Sequence, residues 1–341
     1  MMNVPSQQKF TIGFLYPGQG AQQLGMGIDL EENFPAARAR FEEAEQHLGF
    51  SLRDLCAAGP PEILNEDVNA QLAIYTVSCI ITDILKAVSI CPDFCTGYSS
   101  GFYAAAYAAE CFSFAEGLSV VRFAGEALLE EGERIDGAMA VIFGLSAGRV
   151  SELIAAERDV EIAILNTPRQ IVISGFKEPV HRVMKSALQQ GALDAYFLPV
   201  RTAYHSRFMK KAGNRFFDRL RLNNFNAPRI PLFSYTTLSS VATGNALAET
   251  MAGQLSRPVF WVDLIRRLGR NSNVLMLEIG SGALVSRTVR WIDRSLPVRC
   301  TDTAANIKQV INEIGSTADW RLKLKGSRSR GTKLSPGVFV L

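Results

Sequence analysis

Up to about residue 135 the chain repeats one rhythm: a short apolar run of β type, a turn, then helical periodicity. Residues 11–16 (TIGFLY) and the run beginning at Phe94 read as short buried strands. Residues 30–60 alternate helical patterns with charge and end at Gly59-Pro60-Pro61. Asn69-Ala70-Gln71 opens a long apolar helix through Leu85, whose stripe reads as core packed under the second strand. An alanine-rich helical pattern follows at 102–110, and Ser113-Phe114-Ala115-Glu116 starts another helix to about Glu131. At Gly137 the rhythm changes. Residues 138–143 read as a strand, 150–157 as a helix, 162–165 and 170–174 as two strands joined through Asn166-Thr167-Pro168, 179–190 as a helix and 195–200 as a strand. The first rhythm then resumes, with a long amphipathic helix after Met209 and strands at 230–235 and 274–279, the last ending in Gly280-Ser281-Gly282.

The middle segment has the order βαββαβ, the split-βαβ arrangement of a ferredoxin-like unit. The expected fold class is therefore α/β, with a ferredoxin-like subdomain at 136–201 inserted in a larger body at 1–135 and 202–318. A basic tail at 319–341 is expected to be flexible.

Composition narrows the class. With 48% hydrophobic and 20% charged residues the chain reads as well packed and globular. A net charge of +3 is too small to imply a nucleic-acid partner. No stretch is expected to cross a membrane. The N-terminus lacks the apolar core of a signal peptide, so the expected location is cytoplasmic. Cys56, Cys79, Cys91, Cys95, Cys111 and Cys300 are scattered, and Cys91 and Cys95 lack a second paired cluster. Reduced core thiols are the expectation, with no metal.

The candidate chemistry starts where the second strand ends, at Gly97-Tyr98-Ser99-Ser100-Gly101 before a helix. That is the layout of a nucleophile elbow: Ser99 on a sharp turn, and the Ser100 N–H aimed at an oxyanion. Alone, the pentapeptide also suits an ordinary strand-to-helix turn. The loop Pro17-Gly18-Gln19-Gly20-Ala21-Gln22 has neither phosphate-binding glycine spacing, and suits a backbone N–H brought near a reacting centre; a plain βα turn is the alternative. Of three histidines, His47 and His181 lie in charged helical stretches and read as surface residues. His205 lies in a loop among small polar residues and offers the base that a serine nucleophile needs.

These residues join a longer set in a fixed order: Gly137-Ala138-Met139-Ala140, Asn166-Thr167-Pro168 with residues 170–175, Tyr204-His205-Ser206 with Met209, Gln254 with Pro258-Val259 and Trp261, and Glu278-Ile279-Gly280-Ser281-Gly282. From about residue 11 to 300 the chain resembles malonyl-CoA:acyl-carrier-protein transacylases and the acyltransferase domains of fatty-acid and polyketide synthases. The resemblance implies an α/β-hydrolase-like body and a ping-pong acyl transfer. Ser99 would attack an acyl-CoA thioester, and His205 would act as base for the serine and then for the pantetheine thiol of an acyl carrier protein. The Gln254 carbonyl would orient His205 in place of an acid, giving a dyad. The backbone N–H groups of Gln19 and Ser100 would hold the oxyanion, and Tyr98, Phe102, Ala124 and Asn166 would belong to the substrate pocket. CoA enters as substrate, phosphopantetheine is carried by the partner, and no resident cofactor, nucleic acid or membrane is implied.

The chain departs from the family at the acyl pocket. Malonyl-transferring members carry an arginine on the helix after the elbow to pair the malonyl carboxylate. Counting from Ser99 puts that position at Ala124. Arg122, two positions earlier, faces about 200° round the helix. Tyr98 and Phe102 stand where a histidine and a glutamate are usual. An unpaired buried carboxylate is costly, so an uncharged acyl group is expected over malonyl. Other readings stay open: Arg122, Arg201 or Arg207 reaching a malonyl carboxylate, a hydrolase on the same site, or a non-catalytic subunit. A generic esterase fits less well, since no acid stands in a recognisable motif between Ser99 and His205. Arg201, Arg207, Lys210 and Lys211 could steer an acidic carrier protein, or form an ordinary solvated helix start.

Overall fold

Two sheets organise the computed structural model, which describes residues 11–270 and 273–315. The strands are β1 (Thr11–Tyr16), β2 (Phe94–Gly97), β3 (Gly137–Phe143), β4 (Val160–Thr167), β5 (Gln170–Phe176), β6 (Asp194–Phe197), β7 (Leu232–Phe233), β8 (Val274–Glu278) and β9 (Val298–Cys300). The first sheet runs β7-β2-β1-β8-β9 with every pair parallel. β1 lies between β2 and β8, so the chain winds outward in both directions from it. In such sheets the loops leaving the strand C-termini at the centre form the natural binding crevice. Phe14, Leu15 and Tyr16 are fully buried, as strands covered on both faces must be.

The second sheet is antiparallel, in the order β4-β5-β3-β6, with the helices Ala147–Ile154 and Lys177–Gln189 in the crossovers. This is the βαββαβ unit, and it buries its own apolar cluster around Ile142, Ile171, Ile173 and Val183. The backbone of Val259 ties it to the body, accepting from Leu165 N–H and donating to the Ala163 carbonyl.

The helix Asp67–Ala87 packs against the elbow helix Gly101–Ala108 and against Phe114–Gly132. By length and composition it could cross a membrane, which corrects the expectation that no stretch could. Its most apolar window is 83% buried within the protein, so that apolarity is consumed by the core. Phe114–Gly132 begins where the sequence placed it because Ser113 and Glu116 form a capping box, each satisfying the other's backbone N–H.

Some strands are shorter than their apolar runs. β7 keeps two residues of 230–235: Pro231 has no N–H to pair, and Ser234 turns the chain through its side chain and a bond from Leu238 N–H. β6 ends at Phe197. Of the cysteines, Cys91 is exposed and Cys300 half-buried, so the core reading holds for the other four. The expected tail at 319–341 and the N-terminal stretch 1–10 lie outside the described residues.

Candidate active site

The elbow is built by steric necessity. A Cβ on Gly97 would stand 2.1 Å from the Gly101 carbonyl carbon, and one on Gly101 would stand 2.3 Å from the Tyr16 oxygen. Only glycine lets β2, its helix and the end of β1 approach this closely. Between the two glycines Ser99 adopts φ 51°, a strained value for a side chain with a Cβ. Its Oγ reaches His205 Nε2 at 2.8 Å.

His205 is strained too, with φ 57°, and is held from two sides. Its backbone N–H donates to the Leu255 carbonyl at 3.1 Å. Its Nδ1 lies 3.0 Å from the Gln254 carbonyl oxygen, so Nδ1–H donates there and Nε2 is left to accept from serine. Gln254 directly follows the helix Gly244–Gly253, where terminal carbonyls have no helical partner and the helix dipole is negative. The Gln254 side chain is fixed by the Tyr235 hydroxyl, 2.8 Å from its Oε1, and the Tyr235 ring meets the imidazole edge-on. Burial pushes the His205 pKa down to about 4, outweighing the Gln254 and Arg257 carbonyls that favour the charged ring. The imidazole is thus neutral and ready to accept a proton at pH 7.

This sets a pH dependence. Serine acylation should stay level from pH 8 down to about 5 and fall only as His205 protonates near 4; a break near the ordinary histidine value of about 6.5 in the kcat/KM profile would contradict it. The linked stability has the same sign. The folded pKa lies below the unfolded one, so protonation favours unfolding, and stability is lost as pH falls from about 6.5 towards 4.

Ser100 stands at the N-cap of the elbow helix, and its N–H has no acceptor among the described residues, which leaves it open to an oxyanion at the helix N-terminus. The Gln19 N–H points into the same corner, where it donates to Ser100 Oγ at 3.1 Å. An oxyanion there takes the Gln19 N–H from that hydroxyl. Ser99, His205, Gln19, Ser100 and Gln254 thus all face one cleft of about 370 Å³, part of it open to solvent.

Six further residues line it: Gln71, Tyr103, Leu128, Tyr204, Tyr235 and Leu255. Two of them had a readable signal. Gln71 is a polar residue opening an otherwise apolar helix, and Leu128 lies one helical turn beyond Ala124. The four residues expected in the pocket are not on its wall. Tyr98 is buried just past the end of β2, stands edge-on to Trp261 and donates to Asn166 Oδ1 at 2.6 Å. Asn166 is therefore buried against Tyr98 and not on the pocket wall. Phe102 is fully buried and backs Tyr235 edge-on. Ala124 is fully buried behind the wall, on the helix face that Leu128 extends into the cleft.

No arginine substitutes at Ala124. Arg122 donates to the Leu48 carbonyl at 3.3 Å. Arg207 is committed to Glu161 and to the Arg158 carbonyl, which also removes it from the expected steering patch. Arg201, Lys210 and Lys211 are exposed.

Comparison with known proteins fits this geometry. The family described as acyl transferase domain matches residues 13–309. The chain is 33% identical to malonyl CoA-acyl carrier protein transacylase of Bacillus subtilis (strain 168), over 90% of this chain and 98% of that protein. It is 32% identical to PksC of the same strain, a polyketide biosynthesis malonyl CoA-acyl carrier protein transacylase, over 83% and 97%. Among solved structures, the acyl-carrier-protein S-malonyltransferase of Bartonella henselae superposes with a TM-score of 0.85 at 31% identity, covering 89% of this chain and 99% of that one. A malonyl-transacylase in complex with its type II polyketide-synthase acyl-carrier protein gives a TM-score of 0.85 at 28% identity, over 89% and 99%.

Proposed function

The chain belongs to the acyl transferase domain family, and from that premise we propose that it moves an uncharged acyl group from CoA to the phosphopantetheine thiol of an acyl carrier protein. The relatives are named for malonyl transfer in fatty-acid or polyketide synthesis, and the reaction proposed is theirs with a different acyl group. Ser99 Oγ attacks the thioester carbonyl while His205 Nε2 takes the serine proton. The oxyanion accepts from the N–H groups of Ser100 and Gln19. Collapse breaks the C–S bond, and His205 returns its proton to the departing CoA thiolate. The carrier thiol then enters, gives its proton to His205 and attacks the acyl-serine ester, reversing the same steps. A carbonyl in place of an acid suffices because a thioester is a reactive donor.

The observation that carries the acyl choice is the absence of any lysine or arginine among the residues lining the cleft, with Ala124 behind it. The acidic side chain bonded to that wall is Asp67, which accepts from Gln19 Nε2 and the Tyr204 hydroxyl and offers a malonyl carboxylate no cation. A malonyl carboxylate placed here would lose water without gaining a cation. Breaking a buried ion pair by deleting one partner typically costs about 3–5 kcal/mol, roughly two to nearly four orders of magnitude in kcat/KM. The exposed Arg201, Lys210 and Lys211 beside the His205 loop would meet the acidic carrier protein.

Transfer to holo carrier protein should be measured with acetyl-CoA, a medium-chain acyl-CoA and malonyl-CoA. The proposal expects malonyl to trail the best uncharged donor by about 10²-fold or more. Malonyl transfer at an equal rate would overturn the acyl choice. Turnover that is as fast without carrier protein would overturn the transferase reading in favour of hydrolysis.

A further inference from the structure

The side chain of Asp67 joins two loops that the active site needs in register. Its Oδ1 accepts from Gln19 Nε2 at 2.5 Å, and its Oδ2 accepts from the Tyr204 hydroxyl. The partners lie 48 and 137 residues away in sequence. One is the residue whose backbone N–H faces the oxyanion corner; the other immediately precedes His205. We propose that Asp67 is a positioning residue for acyl transfer, clamping the loop that presents the Gln19 N–H to the loop that presents His205.

The clamp stands on a rigid base. Asp67 begins the buried helix Asp67–Ala87, where the N-terminal dipole favours a carboxylate. Each loop has local bonds of its own, such as Gly20 N–H to Gln22 Oε1 at 2.7 Å and the Ser206 hydroxyl to the Ala203 carbonyl at 2.6 Å, and Asp67 bonds to both loops. After Gln19 the chain turns through Gly20 at φ 101°, and the other hydrogen bond to the Gln19 side chain is a long one, from Gln71 Nε2 at 3.4 Å. His205 is strained and, apart from its contact with Ser99, is held through the carbonyls of Gln254 and Leu255. The Tyr204 ring is buried, so its hydroxyl needs an acceptor, and Asp67 Oδ2 supplies it. Without the carboxylate both loops lose an anchor on the same side, and the serine–imidazole and oxyanion contacts drift together.

The test uses the whole protein and two substitutions, Asp67→Ala and Asp67→Asn. Asparagine keeps the size and one acceptor for Gln19, but turns a donor towards Tyr204. Two rates report on Ser99: the single-turnover release of CoA from the best acyl donor, and labelling by a fluorophosphonate, which needs no acyl-CoA site. Both should fall about 10- to 100-fold in Asp67→Ala, with KM near wild type, and by less in Asp67→Asn. Adding Tyr204→Phe to Asp67→Ala should cost little more, because the two act through one contact. Wild-type labelling in Asp67→Ala would overturn the proposal. So would full additivity with Tyr204→Phe, or a loss that follows the melting temperature and vanishes on cooling. Because labelling is independent of acyl-CoA, an error in the acyl choice proposed above would leave these outcomes unchanged.

Discussion

Replacing Ser99 by alanine abolishes the acyl-enzyme and leaves at most a trace of transfer. The hydroxyl is the atom that forms the covalent bond, and it is the one held against the base, 2.8 Å from His205 Nε2. In serine enzymes with a comparable relay, loss of the nucleophile costs about 10⁶-fold in kcat. The substitution should not disturb folding. Alanine keeps the Cβ that already sits at φ 51°, and the elbow is shaped by Gly97 and Gly101. CoA release and carrier acylation should both disappear while the melting temperature stays near wild type. CoA release at a substantial rate from Ser99→Ala would place the nucleophile elsewhere.

The second large effect is at His205. Alanine there should slow acylation and deacylation alike, by about 10²–10⁴-fold, the usual worth of a positioned general base. Both half-reactions suffer because one nitrogen, Nε2, handles the proton of serine and that of the incoming thiol. The vacated space lies between Tyr235 and Ser99 and is open to the cleft, so added imidazole should restore part of the rate. CoA release should be followed in a single turnover with and without imidazole. Loss of only one half-reaction would show that the second proton has another acceptor.

What the sequence made readable follows from local physics. Glycines that exclude a Cβ mark the elbow, a Ser-x-x-Glu box marks a helix start, and the apolar runs at 138–143 and 170–174 mark the small sheet. The dyad itself was legible once a serine on such a turn called for a base and His205 was the one histidine in a suitable loop. The wall of the cleft was not. Tyr98 was assigned to the pocket as the residue standing where the family's histidine is usual, yet its hydroxyl turns to Asn166 and its ring to Trp261. Ala124 was chosen by counting, and counting locates a helix face without saying which residue on it reaches the surface; Leu128 does. Asn166 and Asp67 answer partners 68 and 137 residues distant, and no periodicity records such contacts. No stretch was expected to be long and apolar enough for a membrane, yet the helix Asp67–Ala87 is; its burial, a tertiary fact, shows what the apolar residues are for.

The central claim is a covalent acyl-serine at Ser99. The most direct measurement is the intact mass of the protein after brief exposure to acetyl-CoA, followed by peptide mapping of any adduct. The account predicts one acetyl group per chain, located on Ser99 and removed by holo carrier protein. An adduct on another residue, or catalysed transfer from acetyl-CoA to the carrier protein with no adduct formed, would contradict it.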